Sequence, residues 1–259
     1  MHLSANLSML FLEAPLVERL ALASRAGFAS VEIQFPDDEV VPAIGRASQQ
    51  LGLPVTLINV PRGEGEEVGL AALPRRQEDF RAAVARCAAQ AKTLGVEKTN
   101  ILAGRPPAGA DREDCMACLV ENLRRAGDLF GAIGVKVMVE PVNPVDVPGF
   151  FLTSLDAAFE ALDRADHPNL FLQFDFYHMA ITEPDLVAAI ERAGPRIGHV
   201  QFADTPGRHE PGTGTIDFAQ ALAALKETGY VGAVSAEYRP KGETLAGLGW
   251  MKDFREMME

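Results

Sequence analysis

The sequence predicts a single closed (β/α)8 barrel of the TIM type, and three observations carry that expectation. Short β-rich apolar runs alternate with longer amphipathic, Ala-rich runs along the chain, the rhythm of βα units feeding a parallel sheet. Eight such units fit into 259 residues, a usual length for this barrel. The connections before the strands are short and marked by glycine, whereas those after the strands are long. An open doubly wound sheet is the competing arrangement, but Leu7-Ser8-Met9-Leu10 is no glycine-rich first turn.

In chain order, a strand at Leu3–Leu7 precedes a helix at Pro15–Ala26, and a strand at Ser30–Phe35 precedes a helix at Asp38–Leu51. Strand three, Pro54–Val60, is followed by the loop Pro61–Pro74 and a helix at Arg75–Leu94. Strand four, Lys98–Ala103, leads through Gly104–Asp111 to Arg112–Ile133, and strand five, Val135–Val139, through Pro141–Leu152 to Ser154–Ala165. Strands six to eight are Leu170–Phe174, Ile197–Phe202 and Ala233–Glu237. Their helices are Asp185–Ala193, Asp217–Thr228, after the loop Asp204–Ile216, and a last one from Thr244 to Met257. Gly27, Gly52, Gly95, Gly134 and Gly229 stand where left-handed helix ends are wanted, and Thr153 or Ser154 and Asp217 where N-caps belong. Several strands read as near-continuous apolar runs, as buried parallel strands do.

Residues 1–259 thus read as one catalytic domain. Lys and Arg total 24 against 36 Asp and Glu, a formal charge of −12 that repels a phosphate backbone, so no nucleic-acid partner is expected. No apolar run approaches the ~20 residues of a membrane span, and Met1-His2-Leu3-Ser4 carries no basic leader, so no membrane partner and a cytoplasmic location are expected. Cys115 and Cys118 form a lone C-x-x-C in a helical segment, and ordinary reduced thiols are the expectation. Gly- and Ala-rich outer helices offer a face for a homo-oligomer.

Four successive strands end in a metal- or base-competent side chain: Glu140, Asp175, Gln201 and Glu237, separated by 35, 26 and 36 residues, one βα unit per step. A lone Glu at a strand end is commonly a cap or a salt-bridge partner. Recurrence in one register four times is a stronger signal, because strands five to eight span half of a closed ring and their top residues converge. Three carboxylates and an amide oxygen form a hard-oxygen set suited to a divalent ion, Mg2+ or Mn2+. Such a cation would also offset the repulsion among the acids.

The segments Ser4-Ala5-Asn6-Leu7-Ser8-Met9-Leu10-Phe11, Glu140-Pro141-Val142-Asn143, Asp175-Phe176-Tyr177-His178-Met179, His199-Val200-Gln201-Phe202-Ala203-Asp204, Glu210-Pro211-Gly212-Thr213-Gly214 and Glu237-Tyr238 run in order over nearly the whole chain. Together they resemble hydroxypyruvate isomerases and the related 2-oxo-tetronate isomerases, members of the xylose-isomerase-like barrels. The resemblance implies that Glu140, Asp175, Gln201 and Glu237 bind the divalent ion and that Glu140 and Glu237 also form the acid/base pair. It implies that His178, in the loop leaving strand six, hydrogen-bonds a substrate oxygen. Related ketose 3-epimerases usually carry His where this chain has Gln201.

The chemistry expected of these parts is aldose–ketose isomerisation. The ion stabilises the enediolate formed when a carbon-bound proton leaves, one glutamate takes that proton, and a second carboxyl returns one to the neighbouring carbon. With hydroxypyruvate the product is tartronate semialdehyde. A sugar-acid substrate needs a cation for its carboxylate, and Arg208, Arg105 and then Arg62 lie in loops at the active face. Asn6 and Asn59 end strands one and three and can donate to substrate hydroxyls, with capping as the competing role. His199 is read as packed beneath Gln201. Gly212-Thr213-Gly214 reads as a tight turn, and the glycine- and acid-rich segment Arg62–Pro74 as a lid or, more plainly, a disordered surface loop. The alternatives are a 2-oxo-tetronate isomerase, a ketose 3-epimerase, a phosphodiester-cleaving endonuclease on a related barrel, and a non-catalytic sugar-binding barrel.

Overall fold

Eight parallel strands hydrogen-bond in sequence order and close, β1 against β8, in a computed structural model that describes residues 1–259. The strands are β1 His2–Asn6, β2 Ser30–Ile33, β3 Val55–Asn59, β4 Lys98–Ile101, β5 Lys136–Val139, β6 Leu170–Asp175, β7 Ile197–Phe202 and β8 Ala233–Ala236. The helices are α1 Leu16–Ala26, α2 Val41–Leu51, α3 Gln77–Leu94, α4 Arg112–Gly131, α5 Leu155–Ala165, α6 Phe176–Thr182, α7 Leu186–Ala193, α8 Phe218–Glu227 and α9 Met251–Met258. No helix is long and apolar enough to cross a membrane.

The expected barrel is the observed one, with local departures. Asp38 lies outside α2, which starts at Val41 with Pro42 in its first turn. The helix expected from Thr244 begins as a 3-10 segment, Leu245–Trp250, and becomes α-helical at Met251. Helix α6 was not anticipated: His178 sits in it rather than in a loop, because Asp175, the last residue of β6, accepts the Tyr177 N–H through Oδ1 at 2.9 Å and caps the helix directly. Ser154, not Thr153, caps α5, and Asp217 caps α8. Gly27, Gly52 and Gly95 end α1, α2 and α3 in the left-handed region.

The strands are not uniformly apolar. Alternate residues face the helices and are apolar, among them Val31, Ile33, Val137, Val139, Phe174 and Val200, all buried. The other set faces the lumen and is mostly polar: Ser4 and Asn6, Ser30 and Glu32, Asn100, Gln173 and Asp175, His199 and Gln201, and Ser235 are buried there, with Leu57 and Met138 as apolar members. The hydrophobic core therefore lies between sheet and helices. One wall of it is aromatic, with Trp250 at 5.2 Å from Phe202 and 4.9 Å from Phe254, and the Trp250 Nε1–H donating to the Tyr238 hydroxyl at 3.1 Å.

The segment Arg62–Pro74 is pinned to the barrel. Gly69 forms an antiparallel bridge with Ala103, and the Ala72 N–H donates to the Ala103 carbonyl at 2.8 Å. Gly69 and Gly104 pack backbone to backbone so closely that a Cβ on Gly104 would stand 2.1 Å from the Gly69 carbonyl oxygen. Both also have positive φ, 135° and 93°, which leaves glycine as the fitting residue at each. Glu67 pairs with Arg76 at the far end of the loop. Cys115 and Cys118 are buried free thiols on α4.

Candidate active site

At the carboxyl end of the strands lies a cavity of about 190 Å³, with Glu140, Glu237, His178, Arg208, Gln34 and Asn59 on its polar side. Phe35, Val68, Leu102 and Phe150 stand on its apolar side, and Arg62 lies over the Phe35 ring at 5.6 Å. Asp175 lies just beneath: single ligand atoms of Glu140, Asp175 and His178 fall within 4.8 Å of one another.

Each acid is held by a different device. Glu140, immediately after β5, accepts from the Asn100 amide of β4 at 2.7 Å. Asp175 spends Oδ1 on the α6 cap, leaving Oδ2 3.6 Å from His178 Nε2 and 3.5 Å from Arg208 Nη2. Glu237, immediately after β8, accepts through Oε1 from three amides: Gln34 at 2.7 Å, Asn6 at 2.8 Å and Gln201 at 3.1 Å. Its Oε2 meets the Arg208 guanidinium.

Burial sets the proton affinities. Desolvation, then the charges of Glu237 and Asp175, push Glu140 well above the usual carboxylate range. Burial lifts Glu237 to about 7 and Asp175 to about 6, in both cases against the lowering pull of Arg208. Glu140, Asp175 and Glu237 share one cation, Arg208, with Glu32 as a further buried acid beneath them, so with all groups ionised negative charge is in excess. A divalent cation would offset that excess, and carboxylate oxygens suit a hard one. The residues present fit such an ion.

His178 is fixed as a donor. Asn143 spends its Oδ1 on the Val145 and Asp146 N–H groups at 3.1 and 2.8 Å, so its Nδ2 must face the imidazole, 2.7 Å from Nδ1. Nδ1 accepts, and the ring proton sits on Nε2. Burial and Arg208 hold the ring's pKa well below its ordinary value, so it is neutral, with an N–H toward the acids.

The structure brings Glu140, Glu237, His178, Arg208 and Asn59 to the cavity and places other expected residues elsewhere. Arg105 is exposed and lines a neighbouring cleft with Glu66 and Glu67, because the turn at Gly104 carries it outward against Gly149. Asn6 lies below the cavity floor, where its amide bridges two carboxylates instead of awaiting a hydroxyl. Gln201 presents its Nε2 to Glu32 and Glu237, while its Oε1 accepts from Gln173 at 2.8 Å. The two acids on its inner side dictate that orientation, so service as an oxygen ligand requires its amide to turn. His199 is packed beneath as expected, donating from Nε2 to Glu32 at 2.6 Å. Burial lowers the pKa of His199, so the ring is neutral. Glu32 itself, pushed up by burial but pulled down further by His199, Gln201 and Asn6, stays ionised.

Four residues of this network were given no role from the sequence: Glu32, Gln34, Asn100 and Asn143. A signal existed for the first three. Polar and apolar residues alternate through Ser30-Val31-Glu32-Ile33-Gln34, and Asn100 lies in the polar run Lys98-Thr99-Asn100 of β4, polar positions in otherwise buried strands.

A family model described as a xylose isomerase-like TIM barrel matches residues 20–254. The chain belongs to that family. Within it, the chain is 39% identical over 257 residues to a hydroxypyruvate isomerase of Escherichia coli (strain K12), covering 98% of this chain and 100% of the relative. It is 38% identical to a 2-oxo-tetronate isomerase of Cupriavidus necator, with 97% of each chain covered. Among solved structures, a Brucella melitensis protein described as an AP endonuclease, family 2, superposes with a TM-score of 0.94 at 36% identity, over 98% of this chain and 99% of that one. The family resemblance in the sequence is thus confirmed, and the two relatives with named activities are isomerases.

Proposed function

We propose that this chain is an aldose–ketose isomerase that interconverts hydroxypyruvate and tartronate semialdehyde (2-hydroxy-3-oxopropanoate). Its full-length kinship with isomerases supports the reaction class. The observation that carries the reading is the pair Glu140 and Glu237, two buried carboxyls of raised proton affinity that line one small cavity. A carboxyl near neutrality both takes and gives protons at working pH. One of the pair removes the proton from C3 of hydroxypyruvate, the C3 hydroxyl proton passes to the C2 oxygen across the resulting enediolate, and a carboxyl delivers a proton to C2, which leaves the carbonyl at C3. The His178 Nε2–H donates to a substrate oxygen, and the Arg208 guanidinium attracts the substrate carboxylate. Glu140, Asp175 and Glu237 would hold a divalent ion, Mg2+ or Mn2+; Gln201 would join them by turning its amide, giving up its bond from Gln173 and its Nε2 bonds to Glu32 and Glu237. When bound, the ion supplies Lewis-acid charge stabilisation to oxygens of the reacting substrate.

The cavity, about 190 Å³, accommodates a small acid. The relationship to a 2-oxo-tetronate isomerase favours 2-oxo-tetronate, a four-carbon acid, as the second reading. A formal charge of −12 opposes the nucleic-acid substrate implied by the Brucella protein's description. This reading carries a soluble sugar-acid partner and a cytoplasmic setting.

Proton NMR of the purified protein with hydroxypyruvate in D2O, with Mg2+ or Mn2+ and again after chelation, tests it. Cation-dependent deuterium uptake and appearance of tartronate semialdehyde are expected. Absence of both, with uptake on 2-oxo-tetronate, would transfer the assignment to the four-carbon acid.

A further inference from the structure

The loop from β7 to α8 carries Arg208, and its shape is organised by a buried side chain that does not line the cavity, Asp204. Asp204 Oδ2 accepts from the Gly212 and Gly214 N–H groups at 2.9 and 2.8 Å, and Oδ1 from those of Thr205 and Ile216 at 2.9 and 3.1 Å. The Asp204 N–H in turn donates to the His209 carbonyl at 2.9 Å. One carboxylate thus gathers the far limb of the loop back onto its start. Between the two limbs Arg208 has a φ of 57°, a left-handed conformation that a long side chain seldom adopts. From there its guanidinium pairs with Glu237, stands 3.5 Å from Asp175 and lies 5.0 Å from the centre of the Tyr177 ring. We propose that Asp204 is the positioning residue for Arg208: by collecting four backbone N–H groups it holds the loop in the shape from which that guanidinium enters the site.

A strained backbone angle persists where its surroundings over-determine it. Other bonds act on the same loop, from the Thr215 N–H and hydroxyl to the Thr205 carbonyl and from the Arg239 N–H to the Arg208 carbonyl, but all of these use neutral acceptors. The four at Asp204 run to a buried carboxylate, and hydrogen bonds to such a group are the stronger kind. The turn Gly212-Thr213-Gly214 is fitted to it: a Cβ on Gly214 would stand 2.5 Å from Asp204 Oδ1 and 2.2 Å from the Thr205 carbonyl oxygen. Arg208 requires a fixed approach because it serves two ends. Its Nη2 meets Glu237 and Asp175, while its Nε, also buried, has no partner within the protein and is left for an oxygen of the substrate. Asp204 itself makes no bond to the three acids and transfers no proton.

This inference rests on the role given to Arg208 in the proposed reaction, and a double-mutant cycle tests it. Asp204→Asn keeps the size of the side chain but leaves one acceptor oxygen for four donors. Arg208→Met removes the guanidinium. Expected for Asp204→Asn is a fall of at least tenfold in kcat/KM in the parent and of less than threefold in the Arg208→Met background, because the loop then has no guanidinium to aim. The same fold-loss in both backgrounds, or no loss in the parent, would overturn the proposal. If Asp204→Asn fails to fold, Asp204→Ser, smaller and still an acceptor, takes its place with the same expectation. A second readout needs no substrate. In limited trypsin digestion followed by mass spectrometry, cleavage after Arg208 should be at least tenfold faster in the Asp204 variant, with cleavage after Arg62 and Arg75, in another loop, unchanged. Unchanged cleavage after Arg208, or equal acceleration at all three sites, would refute the clamp whatever the substrate. Selective acceleration in a protein whose parent is inactive on hydroxypyruvate would uphold the clamp and count against the substrate reading alone.

Discussion

The two halves of the barrel furnish its lumen with opposite chemistry. At or within one residue of the carboxyl ends of β5 to β8 stand Glu140, Asp175, Gln201 and Glu237, whereas β1 to β4 carry Asn6, Gln34, Asn59 and Asn100 there, with the single acid Glu32 set deeper. Amides of the first half reach across to acids of the second: Asn100 to Glu140, and Asn6 and Gln34 to Glu237. Asp175 differs, being tied by the backbone of α6. An acid exchanges protons; an amide N–H donates without titrating. The acid half therefore carries the chemistry, and the amide half fixes where it happens.

Substitutions on the two sides should separate those roles. Glu140→Gln and Glu237→Gln remove proton transfer, and each should lower kcat by about 10²–10⁴ while folding is kept. Were both to turn over at the parental rate, the acid/base assignment would be wrong. Asn100→Leu leaves Glu140 in place but loose, and a lost hydrogen bond to a buried charge predicts a smaller fall, about 10- to 100-fold in kcat/KM. Steady-state kinetics on the same substrate decide the ranking. If Asn100→Leu costs as much as Glu140→Gln, the division between chemistry and geometry fails.

The halves also differed in how far the sequence exposed them. Barrel topology, all eight strands and the four acid-half residues were readable because each feature repeats: glycine at the helix ends, long loops after strands, one polar group at the end of each of four strands. The amide half repeats as well, but Asn and Gln at strand ends read equally well as turn residues. Glu32 offers the clearest case. Within Ser30-Val31-Glu32-Ile33 it resembles a solvent-facing residue of a half-buried strand. Only closure of the barrel turns that face inward, and only then must a buried acid be matched with donors from β1 and β7. Asn143 and the helix that carries His178 were hidden for a related reason, since both depend on a side chain capping backbone N–H groups within a few residues. Arg105 shows the converse: its loop lies at the right end of the barrel, but loop membership does not fix the direction of a side chain.

Because burial raises Glu237 to about 7 and Asp175 to about 6, and raises Glu140 as well, the folded acid half binds protons that the unfolded chain releases near its ordinary pKa values of 4.5 and 3.8. The sign follows by linkage: their contribution to stability is full below about pH 4 and declines as pH rises through 7. In chelated protein, Glu237→Gln, which cannot ionise, should gain in Tm relative to the parent between pH 5 and pH 8. A divalent ion binds the deprotonated set, so Mn2+ should raise the parental Tm by several degrees at pH 8 and by less at pH 5. A cation effect independent of pH would mean that the ion binds away from these acids.

Asn59 breaks the pattern of its own half. It is buried on β3 at the cavity wall and serves no acid, unlike Asn6, Gln34 and Asn100, and its Oδ1, without a partner like that of Asn100, belongs to a residue that lines the cavity. An unmet acceptor at a cavity wall is suited to a hydroxyl of the substrate, so Asn59→Ala should lower kcat/KM by about tenfold. Tested on hydroxypyruvate and on 2-oxo-tetronate, the loss should be larger for the acid whose hydroxyl reaches it, which assigns the place of the fourth carbon. Arg105→Ala, in the separate outer cleft, is the matched control and should change kcat/KM less than twofold. Equal effects at the two positions would mean that the outer cleft is part of the substrate path, and that the amide half does more than hold the acids still.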